Sequence, residues 1–159
     1  MARNRPLLIV AAAAPALAAA VAGSLVTAPA IPGWYAGLVK PAFTPPNWLF
    51  GPAWTFLYVL MSAAFWRVLT TPEATGGRSR AITWYLAQIV LNGLWSFAFF
   101  GWRSPVAGLV VIAALWLAIA ATIIAFARVD RTAAWLLAPY IAWTSFAAAL
   151  NAGVWLLNR

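Results

Sequence analysis

The sequence predicts an all-α integral membrane protein: a single domain over residues 1–159, folded as a bundle of five transmembrane helices. Three observations carry this expectation. Only 8% of the residues are charged, against about 25% in a soluble domain, so the surface cannot be built to face water throughout. The mean hydropathy of +0.89 places the average residue on the apolar side. The few charges also divide the chain into uncharged runs, from Arg5 to Lys40, Lys40 to Arg67, Arg80 to Arg103, Arg103 to Arg128 and Arg131 to Arg159. Each run exceeds the roughly 20 residues that a helix needs to cross a bilayer. A transmembrane barrel would instead alternate in segments of about ten residues; these runs are continuous and rich in Ala and Leu.

The first helix is expected over residues 6–27, with Pro6 near its start, where a missing N–H costs nothing. Arg3 and Arg5, the apolar run and Ala16-Leu17-Ala18 have the outline of a signal peptide. The run continues past Val26, however, long enough to span, so it reads as a retained helix. Residues 28–45 follow as a long connection stiffened by Pro29, Pro32, Pro41 and Pro45. Trp34, Tyr35 and Phe43 bring aromatic rings to it. Two readings stand side by side: an aromatic anchor at the membrane surface, which composition alone favours slightly, and a lid over a cavity, since long connections are often binding loops.

The remaining helices are expected over 46–69, 80–101, 105–127 and 132–156, with Pro46 and Pro105 near helix starts. Pro15 and Pro139 fall inside spans, where each should kink its helix or loosen a turn. Small-xxx-small spacing at Ala114, Ala118 and Thr122, and at Thr83 and Ala87, supports close helix packing within the chain or in a homodimer.

The net charge of +8 does not signal nucleic acid, because the basic residues sit singly or in pairs between apolar runs and form no basic face. They act as topology signals. Arg3, Arg5, Arg67, Arg78, Arg80, Arg128 and Arg131 fall on one side, and Lys40, Arg103 and Arg159 on the other. The Lys/Arg excess puts the N-terminus inside and the C-terminus outside. The expected location is a bacterial cell membrane, crossed several times.

The absence of Cys and His excludes disulfides, thiolate or imidazole metal sites and the commonest general base. The only acids, Glu73 and Asp130, fall in connections, so no carboxylate pair serves hydrolysis. No charge lies near a span centre, which argues against proton relays, voltage sensors and ion pores.

Aromatic and amide chemistry remains. Gln88, Asn92, Trp95 and Phe99 step by four, three and four, and so share one helix face. Amides in hydrocarbon need partners, so that face points inward. Trp143, Ala147, Leu150, Asn151 and Val154 form a similar stripe after Pro139 and Tyr140, as do Trp54, Tyr58, Met61 and Phe65. By spacing alone, interhelical glue is the stronger reading of these stripes. Eleven tryptophans, more than interface belts need, shift weight toward a pocket. Trp54, Trp95 and Trp143 facing one another would suit a flat hydrophobic ligand, with Gln88, Asn92 or Asn151 orienting its polar edge.

The segment WYAGLVKPAFTPPNWLFGPAWTFLYVLM resembles the signature of the TspO/translocator-protein family, also called tryptophan-rich sensory proteins or peripheral-type benzodiazepine receptors. LAQIVLNGLWSFAFFG and AWLLAPYIAWTSFAAALN resemble its third and fifth helices. The resemblance implies a five-helix bundle, commonly a homodimer, with a pocket closed by the first loop. It implies binding of protoporphyrin IX or related tetrapyrroles and of synthetic isoquinoline or benzodiazepine ligands, in sensing, regulation or transport. A light-dependent degradation of protoporphyrin is the alternative. Porphyrin enters as a ligand, and no resident cofactor is expected. Carried over by motif, the pocket positions are Trp34, Tyr35, Pro45, Trp54, Tyr58, Gln88, Asn92, Trp95, Trp143, Ala147 and Leu150, with Trp54 and Trp143 as the photochemical candidates. The sterol motif of animal members is incomplete: after Leu150 the next basic residue is Arg159, and no Tyr intervenes.

Overall fold

The computed structural model describes residues 5–72 and 77–159. Arg3 and Glu73 lie outside the described residues. Among these, five helical stretches are long and apolar enough to cross a membrane. They are built from α1 (Arg5–Ala30), α2 (Asn47–Thr70), α3 (Arg78–Ser96), α4 (Pro105–Ala127), α5 (Arg131–Leu136) and α6 (Ala138–Leu157). The protein is a multi-pass membrane protein, as the gaps between charges indicated.

Prolines and caps set most boundaries. Pro46 is the N-cap of α2. Ser104 caps α4 by accepting a hydrogen bond from Ala107 N–H at 3.2 Å, with Pro105 in the first turn. Helix α1 passes Pro15 without a break. Pro139 does divide the fifth span. Its ring cannot follow a regular preceding turn, so α5 ends at Leu136 and α6 starts at Ala138. The Leu137 carbonyl accepts from both Tyr140 N–H and Ile141 N–H at 3.1 Å.

The region after residue 27 departs from expectation. Helical structure continues through Ala30 and then widens into a π turn over Ile31–Tyr35. Pro29 and Pro32 remove two N–H donors, and a wider turn relieves the ring's clash with the preceding carbonyl. Trp34 and Tyr35 therefore belong to the end of the first span, and the irregular connection is only 36–46. A second π turn, Phe97–Gly101, ends the third span. The two π turns pack together: Trp34 meets Phe99 at 5.4 Å and Tyr35 meets Phe100 at 5.6 Å between ring centroids.

Helix α3 packs mainly on α4 and α1, α4 packs on α6, and α1 packs on α2. The buried residues of α2 are Leu57, near its middle, and Met61, Ala64, Phe65 and Val68 in its C-terminal half. That half leans on α5, where Arg67 pairs with Asp130 at 2.8 Å. The backbone of the N-terminal half stands back from α6, which it reaches through rings, Phe50 to Trp143 and Trp54 to Tyr140. The bundle is thus closed at one end, around Tyr85 stacked between Phe65 (4.0 Å) and Phe126 (5.9 Å). It is open at the other.

Candidate ligand cavity

The gap left by the splayed half of α2 is a cavity of about 490 Å³. Its wall comes from α1, α2, α3 with its π turn, and α6. None of the residues lining it is charged. Trp54 and Trp95 stand 6.5 Å apart at 31° and form an aromatic wall. Trp54 continues onto Tyr58 at 5.7 Å, and Trp95 onto Phe99 at 5.6 Å and 21°.

A hydrogen-bond chain lies along the inner end of this wall. Tyr58 Oη donates to Asn92 Oδ1 (2.7 Å), Asn92 Nδ2 donates to Tyr140 Oη (2.9 Å), and Tyr140 Oη donates to Gln88 Oε1 (2.8 Å). Each side chain is satisfied by the next, as polar groups in hydrocarbon must be. A second tie runs from Trp95 Nε1 to Asn151 Oδ1 (3.2 Å), and Asn151 Nδ2 donates to the Pro105 carbonyl (2.8 Å). Gly108 makes this crossing close, since a Cβ there would sit 2.6 Å from Asn151 Oδ1. The amides are thus interhelical glue, as spacing alone suggested, while Asn92 and Asn151 also reach the cavity wall.

Of the expected pocket residues, Tyr35, Trp54, Tyr58, Asn92, Trp95, Ala147 and Leu150 line the cavity. Trp34, Pro45, Gln88 and Trp143 do not. Trp34 is turned onto Phe99 and Phe100 by the π turn. Pro45 lies in the irregular connection, outside the wall. Gln88 is fully buried beneath it, facing Tyr140. Trp143 stands behind the wall, against Phe50 (6.0 Å) and Phe146 (5.5 Å), its Nε1 buried without a protein partner. It does not face Trp54 and Trp95. Tyr140 takes the place beneath Trp54, at 6.4 Å.

The α1 side of the cavity was not anticipated: Ala20, Gly23, Ser24, Thr27 and Ile31 line it. A signal existed in the buried small residues Ala12, Ala16, Ala19 and Gly23, which recur at helical spacing. Phe50 and Phe100 were also missed. Phe50 extends the Trp54–Tyr58 stripe one turn earlier, so its spacing was a signal, whereas Phe100 falls off the Trp95–Phe99 stripe.

The connection 36–46 is fastened to the end of α6. Val39 N–H donates to Asn158 Oδ1 (3.0 Å), and Asn158 Nδ2 donates back to the Val39 carbonyl (2.8 Å). Lys40 Nζ bonds the Leu38 carbonyl (3.1 Å) and lies 4.7 Å from the ring centre of Tyr35, a wall residue.

Fold and cavity together define a helical membrane protein with an aromatic, uncharged, ligand-sized space at the open end of its bundle. The profile of the TspO/MBR family matches residues 11–156. The chain is 44% identical over 142 residues to the Tryptophan-rich protein TspO of Chlorobaculum tepidum, covering 89% of this chain and 90% of that protein. It is 46% identical over 142 residues to the Tryptophan-rich protein TspO of Archaeoglobus fulgidus, covering 89% and 91%. It is 40% identical over 129 residues to the human Translocator protein, covering 79% and 75%. The chain belongs to the TspO/MBR family.

Proposed function

We propose that the protein binds protoporphyrin IX-like tetrapyrroles and similar flat hydrophobic ligands in this cavity, acting in tetrapyrrole sensing, regulation or transport. The observation that carries the reading is the Trp54–Trp95 wall beside a space of about 490 Å³. Pockets of roughly 300–1,000 Å³ bury most of a drug-sized ligand, and indoles offer flat apolar area that stacks on a conjugated ring. The free second N–H of Asn92 is a donor to a polar edge. Lys40, above the wall residue Tyr35, is a cation available to an acidic substituent. The same wall suits isoquinoline and benzodiazepine ligands. The protein acts as a homodimer with its N-terminus inside; the bias of Lys and Arg supports that orientation.

Titration with protoporphyrin IX in detergent or nanodiscs, read by tryptophan quenching, tests the reading. Trp95→Ala and Trp54→Ala each weaken binding at least tenfold, while helix content is kept. Unchanged affinity in both variants removes the cavity as the site.

A second reading, photo-oxidative degradation of protoporphyrin, is favoured by one observation: the Trp54 indole lies in the cavity wall. Illumination should then convert bound porphyrin to a discrete product, and Trp54→Phe should abolish that product. Loss at the rate of free porphyrin, with no discrete product, rejects it.

A further inference from the structure

The far end of the bundle carries a second recess, between the start of α3 and the end of α4. Ser79, Arg80, Thr83 and Trp84 line it from α3, and Arg128 from α4. Two nearby arginines are already engaged: Arg67 pairs with Asp130, and Arg78 bonds the carbonyls of Leu69 and Thr71. Arg80 and Arg128 are exposed and have no ion-pair or hydrogen-bond partner among the described residues. The one described carboxylate, Asp130, is paired with Arg67, so among the described residues the two charges converge on the recess without an ion pair.

Two further features give this recess the character of an anion site at a membrane surface. The first turn of α3 has no acidic residue, and its N-cap, Gly77, supplies no side-chain acceptor. No acidic side chain within that turn opposes the positive end of its dipole. On the membrane side, Trp84, Leu86 and Val90 on α3 and Leu117 and Ile124 on α4 are exposed. This is an apolar surface on which acyl chains would lie. Arg80, Thr83 and Trp84 step by three and one, so they share a face that runs from charge to indole.

We infer that this recess binds the phosphate of an anionic glycerophospholipid, held by Arg80 and Arg128 with the α3 N-terminus, its acyl chains lying along α3 and α4. A free phosphate ion shares the headgroup chemistry, but it would make no use of the apolar face. Basic recesses between transmembrane helices are suited to anionic headgroups. The positive side of this chain would also face the more anionic leaflet.

Native mass spectrometry of the full chain tests the site, after incubation with dioleoylphosphatidylglycerol, dioleoylphosphatidylcholine or inorganic phosphate. The expected result is one phosphatidylglycerol retained in preference to phosphatidylcholine. Each basic residue near an anionic surface contributes roughly fivefold, so Arg80→Gln/Arg128→Gln should weaken retention about 30-fold. Arg80→Lys/Arg128→Lys keeps the charge and should keep most of it, with helix content unchanged by circular dichroism. Arg103→Gln, a loss of charge at the opposite end, should have no effect. Three outcomes overturn the inference: full retention in the double Gln variant, equal loss in Arg103→Gln, or displacement of the lipid by millimolar inorganic phosphate.

Discussion

Pro41 lies directly on Gly153, so close that a Cβ at position 153 would overlap the proline ring. Connection 36–46 therefore reaches α6 at the one place where α6 has no side chain to hold it off. One turn further on, Asn158 grips Val39 by both its N–H and its carbonyl. Gly153→Ala should lift the connection off α6. Hydrogen exchange at the Val39 amide is expected to rise at least tenfold, with the amides of α3 unchanged. Asn158→Ala should give the same local signature. Protection at Val39 equal to wild type in both variants would show that the connection is held by something else.

Tyr140 and Tyr85 are both fully buried, yet their hydroxyls differ. Tyr140 Oη joins Asn92 to Gln88, whereas Tyr85 Oη is buried without a protein partner. Tyr140→Phe strands a donor and an acceptor and should cost about 1–3 kcal/mol. Tyr85→Phe removes an unpaired polar atom and should be neutral or stabilising. Thermal unfolding in one detergent compares them, and equal losses in the two variants would contradict the assignment of the chain.

Trp143 lies behind Phe50 rather than in the wall. With Trp143 among the pocket positions that the family resemblance implies, strong loss of porphyrin binding would be expected in Trp143→Ala. The structure instead predicts that Trp143→Phe, which keeps a ring against Phe50, changes porphyrin affinity by less than threefold. Trp95→Phe should lose more, because it also breaks the bond to Asn151. Fluorescence titration ranks the two, and the reverse order would place Trp143 in contact with ligand.

Asp130 couples the closed end of the bundle to pH. Partial burial raises its pKa, but the Ala133 N–H and the Arg67 guanidinium outweigh this and hold the carboxyl below its ordinary value. A depressed carboxylate stabilises the fold fully above the unfolded value of about 3.9, and that contribution fades as pH falls through the folded value. Thermal stability of the wild type should therefore be level near neutral pH and decline below about pH 4. Asp130→Asn should start lower at pH 7 and decline less, because the titrating group is gone. Parallel curves for the two proteins would assign the acid sensitivity elsewhere.

The amino-acid sequence by itself determined the five spans, because a bilayer admits long uncharged helices and few alternatives. It also determined that Gln88, Asn92 and Trp95 point inward together, since helical spacing sets the face and hydrocarbon demands partners for amides. Pro139 was legible as a kink or loosened turn, and the structure shows the fuller division of the span there. Pro29 and Pro32 were not legible as a π turn. The turn packs on ring surfaces offered by Phe99 and Phe100, about 70 residues further along the chain, which local sequence does not show. Only the tertiary structure decided the cavity. It exists because the far end of α2 closes on α3 through Met61 and Phe65 and on Asp130 through Arg67, while the backbone of its Trp54 half stands back from α6. That splay put small residues of α1 into the wall and placed Trp143 behind it. Helical periodicity can say that a face is buried, but not whether it meets a neighbouring helix or the space between two.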